Sequence, residues 1–490
     1  MVWHRWLKLA AAVALAGPLL SPWQAEASQA APAATGQQVH SALQALRPAV
    51  QVAGRSYPAE ALADLMRRHN VPAVSIAVIR DGRLTWSGAF GTADPERRRA
   101  ATPDTLFQAA SISKPVAATA ALRLVELGKL ELDKPVNAAL RSWRVPDADV
   151  APGNAVTLRH LLTHTAGLTA QGFGGYAPGT ALPTVTQVLD GTAPANSEAV
   201  RLTRVPGAEW RYSGGGFTVA QLLLTDVSGQ AFPELMDTLV LRPAGMKDST
   251  FVQPPTGERA SRAAVAHLGN GKPVPGRHHL YPEMAAAGLW TTPADLARWA
   301  GALVSAYRGK EGGLLSPAMA RQMLTPGKGD WGLGLGVRRE GETVRFSHSG
   351  ANEGFRSLMM VDPERGDGFV LMTNGDGGGK MFGPLVQAFG GLFGWQEAKP
   401  RILVPAAITP EERSAILGRY EGGPIVVEVA LQGDRLIATQ DGSETFELIP
   451  RGKDVFVSPD IGLRIEFVRD GKTGRVTELR SSGATLKRTN

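Results

Sequence analysis

A serine and a lysine three residues apart are the side chains of this sequence best placed to do chemistry. They lie in Phe107-Gln108-Ala109-Ala110-Ser111-Ile112-Ser113-Lys114-Pro115-Val116. A serine hydroxyl is a weak nucleophile near neutral pH unless a neighbour takes its proton. On a helix, positions i and i+3 share a face, so the Lys114 amine can lie beside the Ser111 hydroxyl. A helix N-terminus adds unpaired backbone N–H groups and the positive end of the dipole, which favour a developing anion. The implied chemistry is attack by a serine that needs no histidine. Taken alone, Ser-x-x-Lys recurs by chance in a chain of 490 residues, and an ordinary helix start is its commoner meaning.

Local signals indicate what would hold these residues. A helix is predicted over 58–69, with Leu62, Leu65 and Met66 on one side. A hairpin follows, 73–80 and 83–91, joined by the turn pair Asp81-Gly82. Beyond the serine, 117–127 continues a helix that Gly128 can close, and Pro115 is tolerated because it lies in the first turn. Helices and long glycine-containing loops fill 155–330, and strands are predicted at 331–338, 344–348, 355–361 and 368–374. The fold class is therefore α+β: an antiparallel sheet drawing strands from both ends of this region, flanked by helices, with a helical block inserted. From Gly418 onward, short alternating runs at 425–431, 435–439, 445–449, 455–458, 463–469 and 476–481 indicate a small all-β sandwich or barrel. The chain divides into 1–27, 28–56 (a loosely ordered lead-in), 57–395, 396–412 (a linker) and 413–490.

Two further segments bear on the serine. Tyr212 stands at the edge of a glycine-rich turn, Trp210-Arg211-Tyr212-Ser213-Gly214-Gly215-Gly216-Phe217, leading into a predicted helix at 218–227. His348 opens a His-x-Gly pattern on a strand, Phe346-Ser347-His348-Ser349-Gly350-Ala351. In this order and spacing the three motifs resemble the serine β-lactamase and penicillin-binding-protein superfamily, in its class C-like esterase and D-aminopeptidase branch. Leu161-Leu162-Thr163-His164-Thr165-Ala166-Gly167-Leu168, 287–296 and Leu371-Met372-Thr373-Asn374-Gly375 are similar to its connecting segments. The resemblance spans roughly 57–395, and the tail from about 413 more weakly resembles a lipocalin-like β-barrel appended to some of these hydrolases.

The resemblance implies Ser111 as the acylated nucleophile and Lys114 as a cation that stabilises the Ser111 and Tyr212 anions and lowers their pKa values. It implies Tyr212 as the general base that later protonates the leaving group, and the backbone N–H groups of Ser111 and Ala351 as the oxyanion hole. Gly350 would let the strand approach closely, and His348, Ser349, Gly350 and Gly214 would line the substrate. Gly214 stands where class C lactamases carry an asparagine, and His348 where they usually carry lysine. The second change replaces a permanent cation with a group that titrates near neutrality. Both turn the nucleophile away from β-lactams.

The function implied is an exported serine hydrolase of small esters or amides, with carboxylesterase and D-amino-acid peptidase activity nearly level. A class C-like β-lactamase, or a penicillin- or acyl-binding receptor without turnover, is the alternative. Its partner would be a small ester or peptide, cell-wall-derived ones included, with no cofactor and no metal. His164 reads as a hydrogen-bonded structural residue, and His278, His279 and Glu283 as loop residues without metal-ligand spacing. Gly332, Gly334 and Gly336 alternate along a predicted strand and serve packing, while Trp290 and Trp331 are core or pocket wall.

Hydrophobic residues make up 43% and charged ones 20%, a globular composition, and the length calls for two domains. The absence of cysteine excludes disulfides, thiolate-bound metals and a lipid on an N-terminal cysteine. The formal charge of +7 is mild for this length, and Arg97-Arg98-Arg99 follows Asp94-Pro95-Glu96 as a solvated turn, so no nucleic-acid partner is expected. His4, Arg5 and Lys8, an apolar stretch at 9–20, and Ala25-Glu26-Ala27 read as a cleaved signal. Export to the periplasm or medium, with no integral membrane association after cleavage, is the expectation. The C-terminal module is expected to cap the cleft or mediate self-association rather than to bind a ligand or wall polymer.

Overall fold

The computed structural model describes residues 36–146, 155–341, 343–423, 425–440, 444–459, 462–481 and 484–489, and the signal read at 1–27 lies outside them. The contacts divide the chain into two units, 33–40 with 62–382, and 41–61 with 383–490.

In the larger unit, β1 (Ala73–Arg80) is buried at every position, as a run this apolar requires, and it takes a central place in the sheet. β2 (Arg83–Asp94) returns beside it through Asp81 and Gly82, both at positive φ (48° and 68°). Two such residues make the type I′ turn that matches strand twist. With β3 (Arg99–Ala100), β4 (Gly336–Glu340), β5 (Thr343–Asn352), β6 (Phe355–Asp362) and β7 (Asp367–Thr373), they form a seven-stranded antiparallel sheet, ordered β3-β2-β1-β7-β6-β5-β4. The early hairpin and the late strands thus share one sheet, and the helices between them form the inserted block expected of the fold class.

Helix α1 (Ser113–Glu126) is buried from Ser113 to Leu122, and its Ala117, Ala118, Ala120 and Ala121 allow close packing. Around it lie α2 (Leu158–Leu162), α3 (Gly214–Ser228), α4 (Met284–Ala287) and α5 (Pro293–Tyr307). α1 contacts α3 and α4, and α5 covers β1 and β2. α5 starts as its sequence directs: the Thr292 hydroxyl accepts the Asp295 N–H at 3.1 Å and Pro293 fills the first turn.

Two local expectations are corrected. The helix predicted over 58–69 is Leu62–Arg68, because the Glu60 backbone is used in a bridge to Leu46. α1 starts at Ser113, with Lys114 and Pro115 in its first turn as expected. The strand expected over 331–338 begins only at Gly336. Gly332 and Gly334 lie before it in a loop pressed against the helices: a Cβ on Gly332 would fall 2.2 Å from Met323 O, and one on Gly334 (φ 98°) 2.6 Å from Ala118 Cβ.

In the smaller unit, Val50–Val52 pairs in parallel with Arg401–Leu403, so the segments read from composition as lead-in and linker carry paired backbone. Nine strands follow, ordered from Glu444–Glu447 through Arg435–Gln440, Ile425–Gln432, Gly418–Gly422, Ala484–Arg488, Val476–Ser481, Arg464–Arg469 and Val455–Val457 to Ile449–Pro450. The first and last are neighbours in sequence, so the sheet curls into a nearly closed barrel. Tyr420, Phe456 and Phe467 fill its interior with aliphatic residues. Among the described residues no helix is long and apolar enough to cross a membrane.

Candidate active site

Ser111 lies in a 3-10 turn, Ala110–Ile112, that runs straight into α1. Ala110, just before it, is buried at φ 50°, a conformation that costs a non-glycine residue and persists where surroundings enforce it. Those surroundings are visible: Ala109 N–H donates to Leu289 O at 2.8 Å, and Ala109 O accepts from Ser357 Oγ at 2.7 Å. Ser113 Oγ donates to Ala110 O at 2.6 Å and accepts from Leu289 N–H at 3.0 Å.

Lys114 is 2% exposed, and its Nζ donates to Ser111 Oγ at 3.0 Å and to Ala286 O at 2.8 Å. The Tyr212 hydroxyl lies within electrostatic reach of the same serine. Its position follows from the start of α3: Ser213 is the N-cap, accepting from Gly216 N–H at 2.9 Å and donating to Thr169 O at 2.7 Å. Part of Tyr212 stays exposed while its hydroxyl is buried, and that burial raises its pKa well above the usual phenol, against the Ser111 hydroxyl, which lowers it. The Lys114 ammonium sits over ring faces, 4.9 Å from the centre of Tyr212 and 5.9 Å from that of Phe217. The expected lowering of the tyrosine pKa by Lys114 is thus corrected: desolvation dominates, and Tyr212 is a neutral phenol at rest.

His348, Ser349, Gly350 and Ala351 arrive on β5, whose burial alternates strictly, with His348 and Gly350 inward and Ser349 and Ala351 part-exposed. Gly350 is required by packing. A Cβ there would meet Ala109 O at 2.2 Å and Ser357 Oγ at 2.3 Å, so only glycine lets β5 lie against the Ser111 turn. His348 is 5% exposed; its Nδ1 donates to Ser349 O at 2.6 Å, and its Nε2 has no partner among the described residues. Burial, then the Lys114 charge, push its pKa down to about 3. The expectation of titration near neutrality is overturned, because this imidazole is desolvated beside a cation.

Gly214 opens α3, and a Cβ there would lie 3.0 Å from Phe173 Cε2 and 3.1 Å from Gln171 O. The space a side chain would need is taken. Trp331 joins the site, 5.3 Å from the His348 ring, 5.9 Å from Tyr212 and 5.6 Å from Trp210, whereas Trp290 is fully buried against Phe355 and His278. His279 Nδ1 pairs with Gly174 O at 2.9 Å. Sequence reasoning missed Ala286 O, Ser113, Trp210, Phe217 and Phe173. None carries a chemical signature, and only proximity to Ser111 or Gly214 singles them out.

This arrangement sets a serine hydroxyl within hydrogen-bond distance of a buried lysine amine and beside a buried tyrosine hydroxyl. The family model described as beta-lactamase matches residues 59–385. The chain belongs to the beta-lactamase family and is one of its serine hydrolases. It is 36% identical over 216 residues to Esterase EstB of Burkholderia gladioli, a match covering 43% of this chain and 54% of that one. It is 27% identical over 315 residues to the D-alanyl-D-alanine-carboxypeptidase/endopeptidase AmpH of Escherichia coli, covering 60% and 78%. In fold it is similar to the octameric penicillin-binding protein homologue from Pyrococcus abyssi (TM-score 0.59, 23% identity, 87% of this chain and 98% of that one). It is similar too to the D-amino acid amidase from Ochrobactrum anthropi (TM-score 0.52, 23% identity, 69% and 90%).

Proposed function

We propose that the protein is an exported hydrolase of small esters and amides that works through a Ser111 acyl-enzyme, with Lys114 and Tyr212 as acid/base partners. The observation that carries this reading is the convergence on Ser111 Oγ of Lys114 Nζ, at 3.0 Å, and the Tyr212 side chain. In acylation the Oγ–H bond breaks as Oγ bonds the substrate carbonyl carbon. The proton passes to the Lys114–Tyr212 pair once that pair has given one proton to solvent, because an ammonium and a neutral phenol together offer no acceptor; the pair then returns the Ser111 proton to the departing oxygen or nitrogen. Water then attacks the acyl carbonyl, gives a proton to the same pair, and Ser111 leaves with it. The carbonyl oxygen would be held by the N–H groups of Ser111 and Ala351; Ser111 lies in the opening turn, whose first N–H groups have no partner within the turn.

Esters and small amides are favoured over β-lactams by two features: Phe173 crowds the space beside Gly214, and the imidazole at 348 carries no charge. The relatives named as esterase and carboxypeptidase support the same range. Export rests on the basic and apolar pattern of residues 1–27. Purified protein should label covalently with a serine-directed phosphonate, and Ser111→Ala should not; equal labelling of both refutes the nucleophile. A nitrophenyl ester, a D-alanyl anilide and a chromogenic cephalosporin, assayed in parallel, rank the substrates. The cephalosporin should come last.

A further inference from the structure

The motif residue that the chemistry above leaves unused is His164. It is 1% exposed and lies just past α2. There the backbone ends as helices commonly do: Thr165 N–H reaches His160 O at 3.0 Å and His164 N–H reaches Leu161 O at 3.4 Å. This closure needs a left-handed residue, a place glycine fills at no steric cost, yet histidine occupies it at φ 56°. Histidine is among the non-glycine residues that visit this conformation, and here its side chain makes contacts that a glycine could not.

Those contacts lie around Tyr212. His164 O accepts the N–H of Arg211 at 2.8 Å, and His164 Nδ1 accepts the N–H of Ser213 at 3.2 Å, so one residue grips the chain on both sides of the tyrosine. The imidazole also lies against the Tyr212 ring, with centres 4.2 Å apart at a 37° tilt. Phe217, Trp331 and Trp210 surround its other sides, 5.4, 5.1 and 6.3 Å away. Because Nδ1 accepts a backbone N–H, the ring's single proton sits on Nε2. Burial, then the charge of Lys114 on α1, disfavour a second proton, and His348 of β5, the other titratable group facing the ring, is itself uncharged, so the acceptor persists.

We propose that His164 is a positioning residue for Tyr212, holding its phenol on Ser111 through backbone clamp and ring contact as a neutral imidazole. This rests on the reading of Tyr212 as an acid/base partner.

The test is a double-mutant cycle on the full chain, read as kcat and KM on a nitrophenyl ester. H164A removes ring and acceptor together. H164N keeps an acceptor oxygen near the Nδ1 position on a residue that tolerates positive φ. H164F keeps the ring volume without the acceptor, and serves if H164A does not fold. H164A and H164F should lower kcat by roughly 10-fold or more, part of the ~10²–10⁴ that a positioned acid/base group supplies, with KM nearly unchanged. H164N should recover most of that loss. In a Tyr212→Phe background the same changes should alter kcat by less than about 2-fold, because their effect runs through the missing hydroxyl. Equal losses in both backgrounds, or full kcat in folded H164A, overturn the inference. Full kcat in Tyr212→Phe alone would instead sink the acid/base reading beneath it.

Discussion

Glutamine at position 283 should remove a pH-dependent weakness from the fold. Glu283 is fully buried, with both carboxyl oxygens unpartnered among the described residues. The Tyr176 and Tyr281 hydroxyls lie close enough to feel its charge. Burial pushes its pKa up from 4.5 to about 7. Between those values the folded protein binds more protons at this site than the unfolded chain does, so stability falls as pH rises, and the loss is complete above pH 7. The interval from 4.5 to about 7, at about 1.4 kcal/mol per pH unit, amounts to roughly 3 kcal/mol. Glutamine keeps the shape but cannot ionise. The stability of Glu283→Gln relative to wild type should therefore increase by roughly that amount between about pH 4.5 and pH 8, seen as a several-degree change in the difference between melting temperatures. Scanning calorimetry at both pH values measures it. An unchanged difference would show that the carboxyl finds a partner or stays ionised, and would refute the reasoning. The consequence reaches the chemistry, because Glu283 directly precedes α4, whose Ala286 O holds Lys114 and whose Ala287 O accepts from Asn352 Nδ2 at 3.0 Å.

The other predictions concern the walls of the site. Gly350→Ala drives a Cβ to 2.2 Å from Ala109 O, so β5 must retreat from the serine; phosphonate labelling should slow by ~100-fold or more, and wild-type labelling would refute the close-approach argument. His348, with its pKa pushed down to about 3, should contribute no ionisation to kcat/KM between about pH 5 and 8, so His348→Gln should leave the limbs of the pH profile in place. Its folded form binds fewer protons than the unfolded chain below 6.5, so this residue costs stability as pH falls from there, and His348→Gln should be relatively more stable in acid. Gly214→Asn should lower ester turnover without creating cephalosporin hydrolysis, since Phe173 and Gln171 already occupy that space; a gain in cephalosporin turnover would overturn this.

Much of the architecture was legible because its causes are local. Asp81-Gly82 demands its turn, and period-two runs demand strands: six of the nine barrel strands lie within a residue or two of expectation, while Gly418–Gly422, Ile449–Pro450 and Ala484–Arg488 were not read from the sequence. The edges of that legibility are also physical. Glu60 left the predicted helix for a bridge to Leu46, and Gly332 and Gly334 left the predicted strand to pack on the helices. By itself the sequence determined which residues could meet: Ser111 and Lys114 by helical spacing, then Tyr212 and His348 by ordered motifs. Tertiary structure alone decided their states. Whether Tyr212 is neutral, whether His348 carries charge, and what fills the space beside Gly214 depend on desolvation and packing by residues far apart in the chain. No local pattern encodes that sum. His164 shows both sides: its motif was legible, but its grip on the backbone around Tyr212 exists only once the fold brings the two segments together.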